Sequence, residues 1–437
     1  MDMEPLLMVL GPNSAGKSNL FDALALLSRL ADTDLTKALQ AGRGAIRDQF
    51  SHTTTGIAET MSFAVELLLA DVGGSPPLRQ TRFRYEVAIG LTPGPSVAEE
   101  LNVVEERLCP IASADDAWIA SHPEFARFAR YGGEQVSLVL GAPGASRVVS
   151  SGASVNAPDA TDDPAFPRTV VTRDFLGRNG TVKLPAAGIQ RPLPFVVRKT
   201  MLAEFAAVVG PPHISAVASE LRRWRFLHPE MAALRKSSER ASGPQLAADG
   251  ANLPTALAAL PGAVSARVQA DMVELIPGVK SAEIVAKGDE FAVEVTFSDG
   301  QRYAQRVLSD GTLRLLALLV MLHSAEPGSL VAYEEPENGL FPGRLRELLR
   351  RMRALSLRED ALPVQLVLNG HSPAILAGLY DLPGALAFAD LVRRKDGVRR
   401  TRIRRIDTSG RSRDPASMVG VKEVEALLDA ARPEPAE

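Results

Sequence analysis

The sequence predicts a mixed α/β fold, on three observations. A short apolar strand, Leu6–Leu10, runs into a glycine-rich turn and then into an apolar helical pattern at Leu20, Phe21, Leu24, Leu27 and Leu30. Residues 307–391 alternate helical and strand patterns, as a layered α/β unit does. Between these ends, residues 59–70, 82–91, 101–108 and 135–140 alternate or cluster apolar side chains as strands do.

Composition bounds what such a fold serves. The 437 residues, 46% of them hydrophobic, suffice for two or three packed units without covalent staples. A formal charge of −3 excludes a globally basic nucleic-acid coat but leaves room for a local basic patch. The single cysteine, Cys109, excludes a disulfide framework and a cysteine-rich zinc site. No apolar run is long enough to span a bilayer, and no basic-then-apolar leader opens the chain, so a cytoplasmic protein without membrane contact is expected. Only nine of the 49 basic residues are lysines, so arginine clusters partly reflect compositional bias.

Residues 11–18 read GPNSAGKS, the spacing of a phosphate-binding loop, with the strand before and the helix after that such a loop requires. Gly11 and Gly16 permit the tight backbone that turns N–H groups toward phosphate oxygens, and the helix N-terminus adds partial positive charge. Lys17 is expected to bridge the β- and γ-phosphates of ATP, and the Ser18 hydroxyl to ligate Mg²⁺. Pro12, Asn13, Ser14, Ala15 and Asn19 complete the expected nucleotide contacts. The plainer alternative is an ordinary glycine-rich helix entry.

The strand patterns at 59–140 follow, punctuated by Pro/Gly/Ser-rich stretches at 73–77 and 141–167, the second reading as a mobile loop. Residues 195–260 are mostly helical in pattern, and 281–299 give alternating strands with a turn at Asp299-Gly300. At Leu308-Ser309-Asp310-Gly311-Thr312 a small hydroxyl residue and a glycine open a long apolar helix. This is an anion-binding end, or else a plain N-cap by Ser309 or Asp310. An apolar strand then ends in Glu334-Glu335-Pro336-Glu337-Asn338. Two adjacent carboxylates there fall at the strand's C-terminal edge, so Glu334 is assigned to Mg²⁺ and Glu335 to the attacking water. Solvated turn acids are the competing reading. A last apolar strand leads to Asn369-Gly370-His371-Ser372-Pro373, where His371 is placed to donate to a γ-phosphate. The other histidines, His52, His122, His213, His228 and His323, lack metal-ligand spacing and read as surface histidines in loops.

Residues 391–406 form two strand-like runs about Asp396-Gly397, a hairpin signal. Arg393, Arg394, Lys395, Arg399, Arg400, Arg402, Arg404 and Arg405 crowd it, which suits DNA phosphates or, alternatively, an edge protected by charge. The helix bearing Arg344, Arg346, Arg350, Arg351 and Arg353 reads as a solvated face with Leu345, Leu348 and Leu349 inside.

The order of these motifs resembles the ABC-type ATPases of the SMC/RecF class, and more closely the small bacterial AAA ATPases that share a core with OLD-family proteins. The likeness rests on residues 6–30 and 305–376, with 226–252 (Pro229, Arg235, Asp249-Gly250-Ala251-Asn252) similar to that family's middle segment. It implies a P-loop ABC-type head with a mixed central sheet, an antiparallel β subregion and a helical insert. The core would be residues 1–50 and 300–437. The inserted lobe, 51–299, would be β-rich at 51–170, mostly helical at 195–260 and β at 270–300.

In that family the signature works in trans. The resemblance therefore implies that Ser309, Asp310 and Gly311 of one copy face the ATP held by Lys17 of another in a head-to-tail homodimer, with His371 as the γ-phosphate switch. Phe341, before Pro342, departs from the histidine usual near the family's D-loop, and Glu334 replaces an aspartate. Members also carry a further strand upstream, where this chain has ten residues before Gly11, so either the start is misassigned or the sheet lacks an edge strand. The Q-loop glutamine has two candidates, Gln49 and Gln80. Residues 372–437 are too few for an appended Toprim nuclease, and no heptads give long coiled-coil arms. The expected function is an ATPase that dimerises on ATP to switch a separate effector protein in DNA repair or phage defence. The alternative is a sensor that restrains a toxin or nuclease without touching DNA.

Overall fold

The computed structural model describes residues 2–53, 56–70, 78–93, 99–132, 138–140, 149–150, 153–154, 170–172, 180–183, 190–193, 198–206, 212–338, 342–357, 362–380, 382, 384–393, 398–408 and 417–430. Phe341, the stretch 73–77, nearly all of 141–167 and the turn at Asp396-Gly397 lie outside them. The chain divides into two compact units. One comprises Met1–Phe21, Trp224–Arg394 and Arg399–Glu437; the other comprises Asp22–Arg223 and Lys395–Val398.

The first unit is built on a seven-stranded sheet. Its strands are β1 (Leu6–Leu10), β2 (Arg225–Leu227), β3 (Leu330–Glu334), β4 (Gln365–Gly370), β5 (Leu386–Arg393), β6 (Arg399–Asp407) and β7 (Met418–Gly420). The spatial order is β2-β3-β4-β1-β5-β6-β7. β2, β3, β4, β1 and β5 run parallel, and β5 pairs antiparallel with β6, which confirms the hairpin pairing read from the sequence. All five residues of β1 and of β3 are buried, as central parallel strands covered on both faces must be. Because β2, β3, β4 and β1 are parallel, the turns after Leu227, Glu334, Gly370 and Leu10 share one edge of the sheet.

Helices of this unit include α1 (Lys17–Leu30, which passes into the second unit after Phe21), α2 (Gly262–Leu275), α3 (Asp310–Ser324), α4 (Pro342–Ser356), α5 (Pro373–Leu379) and α6 (Val421–Ala430). α3 is buried almost all round, from Gly311 to Leu322, which matches its unbroken apolar sequence. α4 buries Leu345, Leu348 and Leu349, the expected apolar stripe. One buried carboxylate ties three helices together: Asp271 of α2 accepts from His323 Nε2 of α3 at 2.6 Å and from the Arg351 guanidinium of α4. An antiparallel sheet lies beside α2, with Val279–Lys287 paired to Glu290–Phe297 and Glu290–Phe297 to Arg302–Ala304.

The unit boundaries fall at 21/22 and 223/224, where the sequence suggested 50 and 300. The reason is β2, three residues that pair with β3 and carry the segment after Trp224 into the central sheet. Residues 262–275 are helical rather than the start of a β region, because Val268, Met272 and Leu275 fall at helical spacing on one buried stripe.

The second unit centres on an antiparallel sheet of Thr60–Leu68, Arg82–Pro93, Glu99–Pro110 and Leu138–Leu140, the strands expected at those places. Phe83, Tyr85, Val87 and Ile89 alternate inward and are at most 2% exposed. Arg82 is buried, its guanidinium paired with Asp116 at 2.6 and 2.9 Å. Glu106 is also buried; it accepts from the backbone N–H groups of Met201 and Leu202 and from the Tyr85 hydroxyl. His213 stacks on Phe83, and both its ring nitrogens lack a hydrogen-bond partner among the described residues.

Candidate functional site

Residues 11–16 connect β1 to α1 through two left-handed positions, Ser14 (φ 66°) and Gly16 (φ 85°). Gly16 has a second reason to be glycine: a Cβ there would lie 1.9 Å from Thr401 Oγ1 of β6. Gly11 is equally constrained, since its Cβ would meet Ala389 O of β5 at 2.4 Å. The loop closes on itself through Ala15 N–H to Pro12 O (3.2 Å), and Asn19 N–H donates to Gly16 O (3.1 Å). Asn13, Ser14 and Asn19 are exposed, whereas Ala15 is buried. The Lys17 ammonium donates to Gly11 O (2.7 Å) and Pro12 O (2.9 Å) and is only 7% exposed. Burial pushes its pKa below the usual lysine value, and Glu335, Glu337 and Glu334, in that order, oppose the shift.

The structure brings Ser18 and Glu334 together across 316 positions of sequence: Ser18 Oγ donates to Glu334 Oε2 at 3.0 Å. Two ligand oxygens on adjacent vertices of an Mg²⁺ octahedron are separated by about 3 Å, so this pair fits the metal assigned to it. Among the described residues no group of three or more His, Cys, Asp or Glu could hold a metal ion.

Glu335 adopts φ 53°, a left-handed conformation that costs a non-glycine residue about 1–2 kcal/mol. Asn369 of β4 holds it there, accepting the Glu335 N–H on its own backbone O (3.2 Å) and on Oδ1 (2.9 Å). Asn338 Nδ2 restrains the Glu335 carboxylate at 2.5 Å. The register sets Glu334 opposite Asn369, whose Nδ2 also reaches Glu334 Oε2 at 3.4 Å. Asn369 is buried, and the residue pattern gives it no role of its own; only the register of its strand beside β3 shows what it holds.

His371 follows β4 directly and is 43% exposed. Its backbone N–H donates to Glu337 Oε1 at 2.8 Å, and its Nδ1 lies 3.3 Å from the same oxygen. Ser372 caps α5 through Ala374 N–H.

Ser309 is the N-cap of α3, accepting from Thr312 N–H at 3.2 Å; Asp310 is exposed and Gly311 buried. The plain capping reading is thus physically present, and it leaves an anion-binding role open. Arg235 organises this turn, donating to Arg306 O (2.7 Å) and Leu308 O (2.9 Å) and pairing with Asp310 Oδ1 (2.5 Å). No hydrogen bond or ion pair among the described residues joins Ser309, Asp310 or Gly311 to residues 11–18.

Of the histidines read as surface residues in loops, His228 is one, 63% exposed after β2 with Nδ1 3.6 Å from Glu334 Oε1, whereas His213 is buried in the helix Pro212–Arg222 and His323 is buried in α3 against Asp271. Gln49 and Gln80 are engaged elsewhere, Gln49 Nε2 on Leu39 O and Gln80 Nε2 on Arg82 O and Ile111 O. In the hairpin, Arg402 pairs with Asp390, Arg404 with Asp390 and Glu423, and Arg405 with Glu4. Arg399 and Arg400 are exposed.

A family model described as "AAA domain, putative AbiEii toxin, Type IV TA system" matches residues 6–131 and 213–377, more than half of the chain. None of the curated proteins compared matches the sequence. Among solved structures, the chain is similar to the Smc head domain with a coiled coil and joint from Pyrococcus yayanosii (14% identity, TM-score 0.27, 39% of this chain), of which it covers 29%. It is also similar to the Smc head domain with an extended coiled coil, bound to the C-terminal domain of ScpA, from Pyrococcus furiosus (11% identity, TM-score 0.42, 93% of this chain and 92% of that one). The SMC head domain from Thermotoga maritima is similar at 10% identity and TM-score 0.34, with 92% and 91% covered.

Proposed function

This chain belongs to the AAA family described as "AAA domain, putative AbiEii toxin, Type IV TA system", and from that premise we propose that it binds and hydrolyses ATP and uses the cycle to join two copies of itself. The observation that carries the proposal is the Ser18–Glu334 hydrogen bond, which sets the serine of the phosphate loop against the first acid of β3. When bound, Mg²⁺ neutralises phosphate charge at that oxygen pair. Lys17 leaves its two backbone carbonyls to meet the β- and γ-phosphates, and its partial burial makes the exchange of partners favourable. Glu335, fixed by Asn369 and Asn338, orients the attacking water and takes its proton. His371, exposed beside it on the same sheet edge, contacts the γ-phosphate.

Ser309, Asp310 and Gly311 make no bond to their own phosphate loop, so the reading gives them to the ATP of a second copy. Val307, 62% exposed just before the turn, offers apolar area for that contact. The output is the switching of a separate effector, in DNA repair or phage defence. Among the described residues of the hairpin, the exposed Arg399 and Arg400 favour direct DNA contact, whereas Arg402, Arg404 and Arg405 are paired. The sensor reading, which restrains a toxin or nuclease without DNA, is favoured by that pairing.

The test compares wild type with Glu335→Gln, by phosphate release and by light scattering with and without ATP and Mg²⁺. Turnover in the wild type, its loss in the variant and a doubled mass of the variant only with ATP are expected. A variant that turns over like the wild type, or stays monomeric with saturating ATP, refutes the reading.

A further inference from the structure

Glu337 has no role in the reading above. Its side chain is 8% exposed. One carboxylate oxygen, Oε1, accepts the backbone N–H of His371 at 2.8 Å and lies 3.3 Å from Nδ1 of the same residue. The other, Oε2, is buried and has no hydrogen-bond partner among the described residues. The space it occupies is kept open by Gly370, where a Cβ would sit 2.8 Å from Oε1 and 3.0 Å from Oε2. A buried carboxylate with an unmet oxygen is costly, and such a group persists where it does something the fold alone does not require.

We propose that Glu337 is the positioning residue of His371, fixing the imidazole with Nδ1 toward its own carboxylate so that Nε2 is the nitrogen offered to the nucleotide. The proposal rests on the ATPase reading for its consequence but not for its geometry. A carboxylate beside Nδ1 selects the tautomer that carries its proton there. Nε2 of that neutral ring then holds its lone pair toward the nucleotide, where it accepts from the attacking water or a protonated phosphate oxygen, the same logic by which a buried acid orients a catalytic histidine. Glu337 acts through His371 and touches no reacting atom.

Two measurements test this on the full-length protein. Without nucleotide, at a pH where the ring is neutral, ¹⁵N shifts of labelled histidine are expected to show His371 protonated at Nδ1 in the wild type and in Glu337→Gln, which keeps an acceptor oxygen, but not in Glu337→Ala. In turnover, Glu337→Ala is expected to lower kcat about tenfold while the ATP Kd changes less than about threefold, with Glu337→Gln recovering part of the rate. In a His371→Ala background the same change should cost nothing further. An unchanged tautomer in Glu337→Ala overturns the proposal. So does a tenfold rise in ATP Kd, or a further tenfold loss of rate in the double variant. A wild type that fails to hydrolyse ATP refutes the ATPase reading alone, since the tautomer measurement still decides the pairing.

Discussion

Two buried groups of the second unit pull its stability in opposite directions with pH, and the effect can be separated by substitution. Burial depresses His213 from its ordinary value near 6.5 to about 4, so the folded state keeps the ring neutral where the unfolded chain is protonated. Stability is therefore lost as pH falls from about 6.5 to 4, and the full displacement is worth roughly 3 kcal/mol. Burial pushes Glu106 the other way, from 4.5 up to about 7, against the opposing pull of Met201 N–H, Leu202 N–H and the Tyr85 hydroxyl. The folded state here holds the proton that the unfolded chain releases, so stability is lost as pH rises from about 4.5 to 7, again by roughly 3 kcal/mol.

In the wild type these two contributions nearly cancel between pH 4.5 and 6.5. His213→Phe should expose the glutamate's slope, with stability falling toward neutral pH. Glu106→Gln should expose the histidine's slope, with stability falling toward acid. The assay is urea unfolding at several pH values, followed by Trp118 fluorescence in a Trp224→Phe background, because Trp118 belongs to the second unit and Trp224 to the first. The decisive quantity is the difference between each variant's curve and the parent's. Parallel curves for His213→Phe and parent would refute the argument, because both unpartnered nitrogens of His213 would then carry no penalty for charging.

Four further outcomes follow from the first unit. Gly16→Ala should abolish ATP binding by calorimetry; Thr401→Ala should restore only part of it, since φ 85° still costs a side chain about 1–2 kcal/mol. Ser18→Ala and Glu334→Gln should each raise the Mg²⁺ needed for half-maximal turnover about tenfold, with the double variant far from additive because the two share one hydrogen bond. Arg235→Ala should leave ATP affinity within about twofold but weaken the ATP-induced dimer seen by light scattering, because it frees the turn at Asp310. Should DNA bind, replacing Arg399 and Arg400 by alanine should lower the slope of log affinity against log salt by about 2, and an unchanged slope would remove the hairpin from the interface.

What the sequence revealed and what it hid divide along a physical line. The strand–loop–helix at 6–30, the acids after β3 and the strand before His371 are contiguous strings whose chemistry and element share one stretch of chain, so their pattern was visible. Asn369, Glu337 and His228 act on residues of neighbouring strands or turns, and only strand order makes them neighbours. β2 illustrates the difficulty: Arg225–Leu227 is too short to give a period, yet it moves the unit boundary and brings His228 to the functional edge. The arginine cluster was legible as charge but not as pairing, because Asp390 meets Arg402 only through the hairpin register, Glu423 reaches Arg404 from a following helix, and Glu4 lies 401 residues from Arg405.

The tie among α2, α3 and α4 bears on how this protein can change over evolutionary time. Asp271 is 1% exposed and joins partners from two different helices, so replacing it alone leaves the His323 ring, whose side chain is 6% exposed, without its acceptor and Arg351 with Glu274 only. Neither partner can be exchanged cheaply while the acid remains. The three positions should therefore covary as a block, persisting together in some lineages and giving way together to apolar side chains in others, even though they lie 52 and 80 residues apart.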